Sequence, residues 1–268
     1  MNISIGFVIY LPEKSILDRI KTTTESGYMV YIYDNSPKIG FVRDFCKKLP
    51  NCKYLTCGKN VGLGFGVSNV CGQAYYEGSD ALLFFDQDTC FTKETLDYVN
   101  AFYQFRKNEF KSFAAIQFSN KVNNQDYNFD EFSFKTSKLL IGSGSLFNLN
   151  TLEKINWHDT TYFVDGVDYE FCLRATINGF LLGECSHTPG FDHITGQADK
   201  PYHIFKKKLY LRAYNPVRIR DILTSYCKLI ILSLKFYKFY YTKIFIKSFM
   251  IFSFFQILVR ILNILKIK

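Results

Sequence analysis

Short apolar runs alternate with helical stretches through the first 118 residues, and this alternation constrains the fold most. Five runs have the pattern of strands: Ile3–Tyr10, Tyr28–Asp34, Cys52–Cys57, Ala81–Phe85 and Phe113–Phe118. Helical patterns lie between them, over Glu13–Ser26, Gly40–Lys48, Gly64–Tyr76 and Thr92–Lys107. Strands that alternate with helices form mostly parallel sheets covered by helices. The sequence therefore predicts an α/β fold.

The fourth run, Ala81–Phe85, reads ALLFF and contains no polar residue. Such a strand is typical of the centre of a sheet, where both faces are buried. The chain has 268 residues, of which 48% are hydrophobic, so a large packed core is feasible. Because no repeat or low-complexity linker interrupts the pattern, we predict one domain over residues 1–220.

Positive charge is concentrated at the end of the chain. Eight of the 48 residues from Asp221 onward are basic and one is acidic, which gives this tail +7 of the total formal charge of +9. Apolar clusters alternate there with lysines at about helical spacing. We therefore predict a second region, residues 221–268, made of basic amphipathic helices.

Amphipathic helices with lysines on one face are typical of segments that lie on an anionic membrane surface. The longest uncharged run, Ser248–Val259, would span about 18 Å as a helix against about 30 Å of hydrocarbon, so we expect it not to cross a bilayer alone. The alternative is a helical pair that packs against the domain or forms a dimer interface. The oligomeric state is not determined by the sequence.

The eight cysteines are scattered, and no two form a C-x-x-C pair. This disfavours a zinc cage of the usual spacing. The sequence begins with a strand-like pattern and not with a basic stretch followed by a long apolar run, so we expect no secretory signal. Together these features lead us to expect a cytoplasmic protein with reduced thiols.

Several enzyme classes are disfavoured by the glycine patterns. The chain contains no G-x-x-x-x-G-K-[ST] sequence, which excludes a P-loop NTPase. Gly62, Gly64 and Gly66 follow the third strand with the wrong spacing for a dinucleotide loop. The run Gly142–Ser145 lacks the G-x-S-x-G order of a serine hydrolase. A nucleic-acid partner is also disfavoured, because the excess charge lies in the apolar tail.

The most informative acidic pair follows the ALLFF strand directly. Asp86 and Asp88 flank Gln87, and alternate residues of a strand point the same way. Ligands of open α/β sheets bind at this carboxyl edge, and two carboxylates there suit a divalent cation that also holds phosphate oxygens. The alternative is a strand end followed by two solvated turn residues.

The second and third strands end in a similar way. Asp34 ends the second strand, where it could accept a hydrogen bond from a base or ribose, or simply form an Asp-Asn-Ser-Pro turn. The segment Lys59–Gly64 has little side-chain bulk, so its backbone amides, at Asn60 and Gly62 among others, could approach a nucleotide closely.

A later acidic cluster, Asp165–Glu170, precedes a helical pattern. These residues are either helix caps or contain a general base, because a partly desolvated carboxylate near another has a raised pKa. His193 follows in the sequence DHITG, as a metal or phosphate ligand or as an ordinary surface histidine.

The ordered set YIYDNSP, KNVGLGFGVSN, LLFFDQDT, SGSLF, FVDGVDYEFCLRATINGF and HITG resembles the family 2 glycosyltransferases of the GT-A fold. Within them it is most similar to the bacterial rhamnosyltransferase-like branch, over residues 3–215. The resemblance implies a single Rossmann-like domain with a mostly parallel central sheet.

The resemblance also implies roles for individual residues. Asp168 would be the catalytic base, Asp88 and His193 would hold the metal, and the substrate would contact Asp34, Asn60, Gly62, Asp86, Gln87 and Ser143. Val167 departs from the pattern, because many relatives have Glu there. Tyr214-Asn215 stands where an Arg-Asn pair is often seen, so Asn215 is a weaker match.

These roles predict an inverting, Mg²⁺- or Mn²⁺-dependent transfer of a sugar from a nucleotide diphosphate donor to a hydroxyl of a lipid-linked or oligosaccharide acceptor. The best match is L-rhamnose from dTDP-rhamnose, used in bacterial surface polysaccharide synthesis at the inner face of the plasma membrane. The alternatives are a transferase of galactose, glucose or an N-acetylhexosamine from a UDP-sugar, and a nucleotide-sugar-binding protein without catalysis.

Overall fold

The structure, a computed structural model, describes residues 3–38, 40–120, 132–193, 200–204 and 207–265. The chain forms two compact units, Met1–His193 and Ile194–Lys268, which are considered separately below. The predicted division into residues 1–220 and 221–268 places its boundary later than these units do, and it stays a prediction.

The strands of the first unit are β1 (Ile3–Ile9), β2 (Val30–Asp34), β3 (Cys52–Thr56), β4 (Ala81–Asp86), β5 (Thr89–Cys90), β6 (Phe113–Phe118), β7 (Lys135–Ser137), β8 (Ser145–Asn148), β9 (Leu181–Cys185) and β10 (Asp192–His193). Its helices are α1 (Ile16–Glu25), α2 (Phe41–Cys46), α3 (Leu63–Tyr76), α4 (Lys93–Phe110), α5 (Leu149–Lys154) and α6 (Val167–Ile177). The five predicted strands and four predicted helices are confirmed, with ends that shift by up to three residues.

Eight of these strands form one sheet in the order β3-β2-β1-β4-β8-β6-β9-β7. The pairs from β3 to β4 and the pair β6–β9 are parallel. Strand β8 is antiparallel to both of its neighbours, and β7 is antiparallel to β9. The predicted mostly parallel α/β sheet is therefore confirmed. The antiparallel strands β7 and β8 were not predicted.

Strand β4 shows why the sheet is buried on both faces. Ala81, Leu83 and Phe85 pack with residues of α1, α2 and α4 in one core cluster. Leu82 and Phe84 belong to the opposite cluster, with residues of α3, α5 and α6. All five side chains are almost completely buried. The absence of polar residues from this run is thus a consequence of helices on both faces.

Strand register places the predicted site residues at one edge of the sheet. Asp34 lies opposite Ile9, and Asp86 lies opposite Val8, so both acids stand at the carboxyl ends of strands that flank β1. Strand β8 runs antiparallel to β4, with Ser145 opposite Phe84. The residues that precede β8 therefore lie beside the end of β4.

The second unit contains the antiparallel pair β11 (Lys200–Ile204) and β12 (Lys207–Leu211), followed by α7 (Pro216–Lys235) and α8 (Phe239–Ile264). Asn215 caps α7 by accepting a hydrogen bond from the backbone of Arg218 at 2.8 Å. The predicted helical tail is present, and it forms two helices joined by a short turn.

Helix α8 is longer than the uncharged run suggests, because it continues through Lys243, Lys247 and Arg260. Its 26 residues span about 39 Å. Among the described residues it is the one helix that is long and apolar enough, by length and composition, to cross a membrane. The expectation of a segment too short to do so was therefore wrong about helix length.

All eight cysteines are free thiols. Cys46, Cys71, Cys172 and Cys185 are buried, and burial raises the pKa of the Cys71 and Cys172 thiols. These four residues serve as small apolar core residues.

Candidate active site

Three carboxylates lie close together at the carboxyl end of β4. Asp86 is the last residue of the strand, and Gln87 and Asp88 form the turn that leads to β5. Burial, together with the charges of Asp168 and Asp88, raises the pKa of Asp86 to about 7. Asp88 itself is exposed to solvent. The predicted acidic pair and the predicted base therefore belong to one electrostatic cluster.

Asp168 lies in the first turn of α6. The helix begins after Gly166, whose backbone is left-handed with φ at 81°. A carboxylate in the first turn is stabilised by the helix dipole. Burial nevertheless raises the pKa of Asp168 to about 6, although a hydrogen bond from the backbone N–H of Gly142 opposes this shift. Such a pKa suits a group that takes up a proton near neutral pH.

Gly142 contacts Asp168 so closely that any larger residue would displace the carboxylate. A Cβ atom at this position would lie 2.6 Å from Oδ1 of Asp168. The role of Gly142 as partner of the proposed base was not predicted from the sequence. The contact joins α6 to the chain that precedes β8, so it appears only in the tertiary structure.

Ser143 forms hydrogen bonds with both ends of the β4–β5 turn. Its Oγ accepts a hydrogen bond from the backbone N–H of Asp86 at 3.0 Å and lies 2.5 Å from the hydroxyl oxygen of Thr89. Ser143 is buried. Ser143 therefore positions the acidic turn, and its predicted contact with substrate stays a prediction.

Gln87 connects the same turn to the loop after β1. Its Oε1 accepts a hydrogen bond from the backbone N–H of Tyr10 at 2.8 Å, and its carbonyl oxygen accepts one from the guanidinium of Arg19. The next residue of that loop, Leu11, donates its N–H to the hydroxyl of Ser36 at 2.8 Å. The loop after β1 is thus tied to the ends of both β2 and β4.

Strand pairing places the backbone of His193 beside the acidic turn. Strand β10 pairs with β5, and His193 stands opposite Thr89. The side chain of His193 lies outside the described part of the structure. Within the part that is described, no group of three or more His, Cys, Asp or Glu residues has the geometry of a metal site.

Asp34 has a different environment at the end of β2. Its Oδ1 accepts a hydrogen bond from the N–H of Ser36, and its Oδ2 accepts one from the hydroxyl of Tyr54, both at 2.7 Å. The side chain is only 2% exposed. Both carboxylate oxygens of Asp34 therefore accept hydrogen bonds within the protein and order the turn that follows β2, which is the alternative role given for Asp34 from the sequence. The predicted nucleoside contact stays a prediction.

Asn35 joins the turn after β2 to the segment Lys59–Gly64. This role was not predicted from the sequence. Its amide nitrogen donates to the carbonyl of Gly62 at 3.0 Å, and its Oδ1 accepts from the N–H of Val61 at 3.2 Å. The only sequence signal was its position directly after Asp34.

The segment around Gly62 packs against protein. Asn60 accepts a hydrogen bond from the N–H of Gly62 at 3.0 Å and is exposed. Gly62 has φ at 92°, and a Cβ there would overlap the carbonyl oxygen of Phe163. That oxygen also accepts a hydrogen bond from Leu63. Glycine is thus required for contact between two loops, and the predicted approach of a nucleotide to Asn60 and Gly62 stays a prediction.

An ion pair holds the helix that carries Asp168. Arg174 binds both carboxylate oxygens of the buried Glu170, at 2.6 and 2.9 Å. It also donates to the backbone carbonyls of Ile155 and Trp157. These bonds fix the segment after α5 against α6, and they were not predicted from the sequence.

No family model matches the chain. The Shigella flexneri protein described as dTDP-rhamnosyl transferase RfbF is 23% identical over 198 residues, which cover 68% of this chain and 65% of that relative. The crystal structure of Staphylococcus aureus TarS residues 1–349 superposes with a TM-score of 0.55 at 16% identity, covering 87% of this chain and 66% of that 1–349 chain. The TarS complex with UDP-GlcNAc gives 0.56 at 17%, with 87% and 67% covered.

The chain has a GT-A type fold. The match in structure covers most of the chain and agrees with the central sheet and helices described above. The chain spans about two thirds of the length of these two proteins as compared.

Proposed function

We propose that the protein is an inverting glycosyltransferase that uses a nucleotide diphosphate sugar. The observation that carries the proposal is Asp168, a carboxylate with a pKa of about 6 that lies near Asp86 at the carboxyl edge of the sheet. Ligands of open α/β sheets bind at that edge. The GT-A type fold and the name of the Shigella relative support a glycosyltransferase.

In the proposed reaction Asp168 is the general base. A hydroxyl oxygen of the acceptor bonds to the anomeric carbon while the bond from that carbon to the diphosphate oxygen breaks. The hydroxyl proton passes to the carboxylate of Asp168, and the nucleoside diphosphate leaves. A single displacement of this kind inverts the anomeric configuration. The hydrogen bond from Gly142 fixes one carboxylate oxygen and so orients the base.

The carboxylates at this edge are chemically suited to a divalent cation. Three like charges lie together, Asp88 is exposed, and carboxylate oxygens are preferred ligands of Mg²⁺. We propose that Asp88 and His193 hold Mg²⁺ or Mn²⁺. When bound, the ion would neutralise the charge that develops on the diphosphate. Asp86 would then complete the acidic surface that faces the donor.

We propose dTDP-rhamnose as donor, because the Shigella relative is described as a dTDP-rhamnosyl transferase. A UDP-sugar is the second candidate, and the TarS complex with UDP-GlcNAc favours it. For the acceptor we propose a hydroxyl of a lipid-linked or oligosaccharide chain at the inner face of the plasma membrane, as the sequence analysis predicts.

A panel of sugar nucleotides tests the proposal directly. The protein is heated with dTDP-rhamnose, UDP-glucose, UDP-galactose or UDP-GlcNAc, each with Mn²⁺ and with EDTA. We expect one donor to raise the unfolding temperature in Mn²⁺ and to release nucleoside diphosphate when acceptor is present.

Asp88→Ala should remove the metal-dependent part of this stabilisation while the unliganded protein stays folded. The exposed Asp18→Ala provides the matched control. Donor binding without any transfer would leave a nucleotide-sugar-binding protein. Absence of stabilisation by every donor would contradict the proposal.

A further inference from the structure

The hairpin of α7 and α8 carries a large apolar surface, which we call the hairpin surface. Its members are large hydrophobic residues that are all at least 41% exposed: Ile231, Leu234, Phe236, Tyr237, Phe239, Tyr240, Ile246, Met250, Ile251, Phe254, Ile257, Ile261, Ile264 and Leu265. Within the described residues they cover the last turns of α7, the connecting turn and the outer side of α8. Continuous apolar surfaces of this kind mark sites of interaction with proteins or membranes.

The opposite side of α8 already has protein partners. Val259 and Leu262 pack with Tyr202 and Leu211 of β11 and β12. Gln256 accepts a hydrogen bond from the N–H of Tyr214 and donates to the carbonyl of Arg212. These contacts fix one side of the helix against its own unit, which leaves the hairpin surface as the outer side.

Arg260 belongs to that inner side. Its guanidinium donates to the carbonyl oxygens of Gln256 and Tyr214, at 2.8 and 2.9 Å. Arg260 therefore does not belong to the exposed basic residues of the tail. These contacts tie the last third of α8 to its own unit, which favours a helix that lies along a membrane surface over one that crosses it.

The charge around the hairpin surface determines which partner suits it. Lys235, Lys243 and Lys247 are exposed beside it, and Lys243 and Lys247 each lie three residues before an apolar member. From Lys200 to the end of the sequence, Asp221 is the only acidic residue. A second copy of the chain would bring lysines together without countercharges, whereas anionic lipid headgroups supply them.

We propose that the hairpin surface docks the protein on an anionic lipid bilayer. Aromatic and aliphatic side chains of the connecting turn and of the outer side of α8 enter the headgroup region, and the lysines pair with lipid phosphates. The contact is a property of the helical hairpin and does not depend on the proposed transfer reaction.

Vesicle sedimentation with the full chain tests the proposal. We expect the protein to sediment at low salt with vesicles of phosphatidylcholine and phosphatidylglycerol, and much less with phosphatidylcholine alone. High salt should release it, because screening weakens attraction at the surface. An intact protein that stays in the supernatant with the anionic vesicles would overturn the proposal.

Two pairs of variants locate the contact. Phe254→Glu should reduce partitioning by about tenfold or more, while Phe105→Glu, which changes a comparably exposed phenylalanine of α4, should not. Lys243→Gln with Lys247→Gln should reduce it by about 25-fold, at about fivefold per lysine. Lys47→Gln with Lys48→Gln is the matched exposed pair in the first unit.

Circular dichroism and light scattering complete the design. If Phe254→Glu does not fold, the lysine pair, which changes only exposed side chains, decides the question. Equal losses in the hairpin variants and their controls would contradict the proposal. A mass of two chains that falls to one in Phe254→Glu, without vesicle binding by the intact protein, would assign the hairpin surface to a second copy.

Discussion

Asp34 and Asp86 occupy equivalent places and have opposite environments. Each ends a parallel strand beside β1, at the same edge of the same sheet. Asp34 is buried, and Ser36 and Tyr54 donate hydrogen bonds to its two carboxylate oxygens. Asp86 lies near the charges of Asp168 and Asp88, and burial together with these charges raises its pKa to about 7.

The difference shows that the groups around an acid at a strand end determine whether it serves structure or binding. Donors that converge on a carboxylate stabilise its charge and make it part of the local structure. A carboxylate surrounded by like charges is destabilised, and a cation or a proton relieves the repulsion. We therefore expect Asp34 to act mainly on stability and the Asp86 cluster mainly on binding and turnover.

The largest effect is expected at Asp168. Asp168→Asn keeps the size of the side chain and its hydrogen bond to Gly142 but cannot take up the proton. Turnover should fall by about 10²–10⁴-fold, with donor affinity nearly unchanged. Steady-state kinetics and donor titration measure the two quantities, with Asp18→Asn as the exposed control. Loss of donor affinity in parallel with turnover would make Asp168 a binding residue.

Gly142→Ala is the next largest change. The new methyl group would lie 2.6 Å from Oδ1 of Asp168 and would displace the base, so turnover should fall by about 10²-fold. Gly72→Ala is the matched control, because no atom lies within 4 Å of its added Cβ and α3 gains about 1 kcal/mol of helix propensity. Full activity of Gly142→Ala would show that the contact does not position the base.

Asp34→Ala tests whether the acid at the end of β2 acts mainly on stability. The N–H of Ser36 and the hydroxyl of Tyr54 would lose their partner, so the free energy of unfolding should fall by about 1–3 kcal/mol. Asp86→Asn removes a repelled charge and should leave the free energy of unfolding unchanged or raise it. Urea unfolding of both variants and of Tyr54→Phe measures these values.

A double-mutant cycle between Asp34→Ala and Tyr54→Phe isolates their hydrogen bond. Additive losses would mean that the bond contributes little. A loss in Asp86→Asn as large as that in Asp34→Ala would break the distinction between the two strand ends.

The smallest effect is the pH dependence of turnover. The base acts only when it is ionised, and burial raises the pKa of Asp168 to about 6. The value of kcat/KM should therefore fall as pH decreases below about 6, by about tenfold per unit, and should be level above about 7. A profile that stays level down to pH 4.5 would contradict a base with a raised pKa.

Much of the fold could be predicted because local pattern and tertiary environment agree. The run ALLFF has no polar residue and is buried on both faces of β4. Strand β8 was missed because its residues, SLFN, are few and follow glycines, and its pairing with β4 and β6 joins distant parts of the chain.

The candidate site was predictable in part for the same reason. Asp86 and Asp88 follow a strand signal in the sequence, and Asp168 lies at the start of a helix signal. The structure brings the three acids together. The roles of Gly142 and Asn35 were missed because their partners, Asp168 and Gly62, lie 26 and 27 positions away in the sequence. The role of Arg174 was missed because it donates to backbone carbonyls of the segment after α5.

The sequence by itself determined the alternation of strands and helices, the buried centre of the sheet, the positions of the acidic residues and the basic apolar tail. These follow from composition and short-range periodicity. Only the tertiary structure decided that Asp34 is satisfied by hydrogen bonds whereas Asp86 is repelled by its neighbours, and that Arg260 points inward from α8. Hydrogen bonding and electrostatic repulsion depend on distances across the fold, which no local pattern encodes.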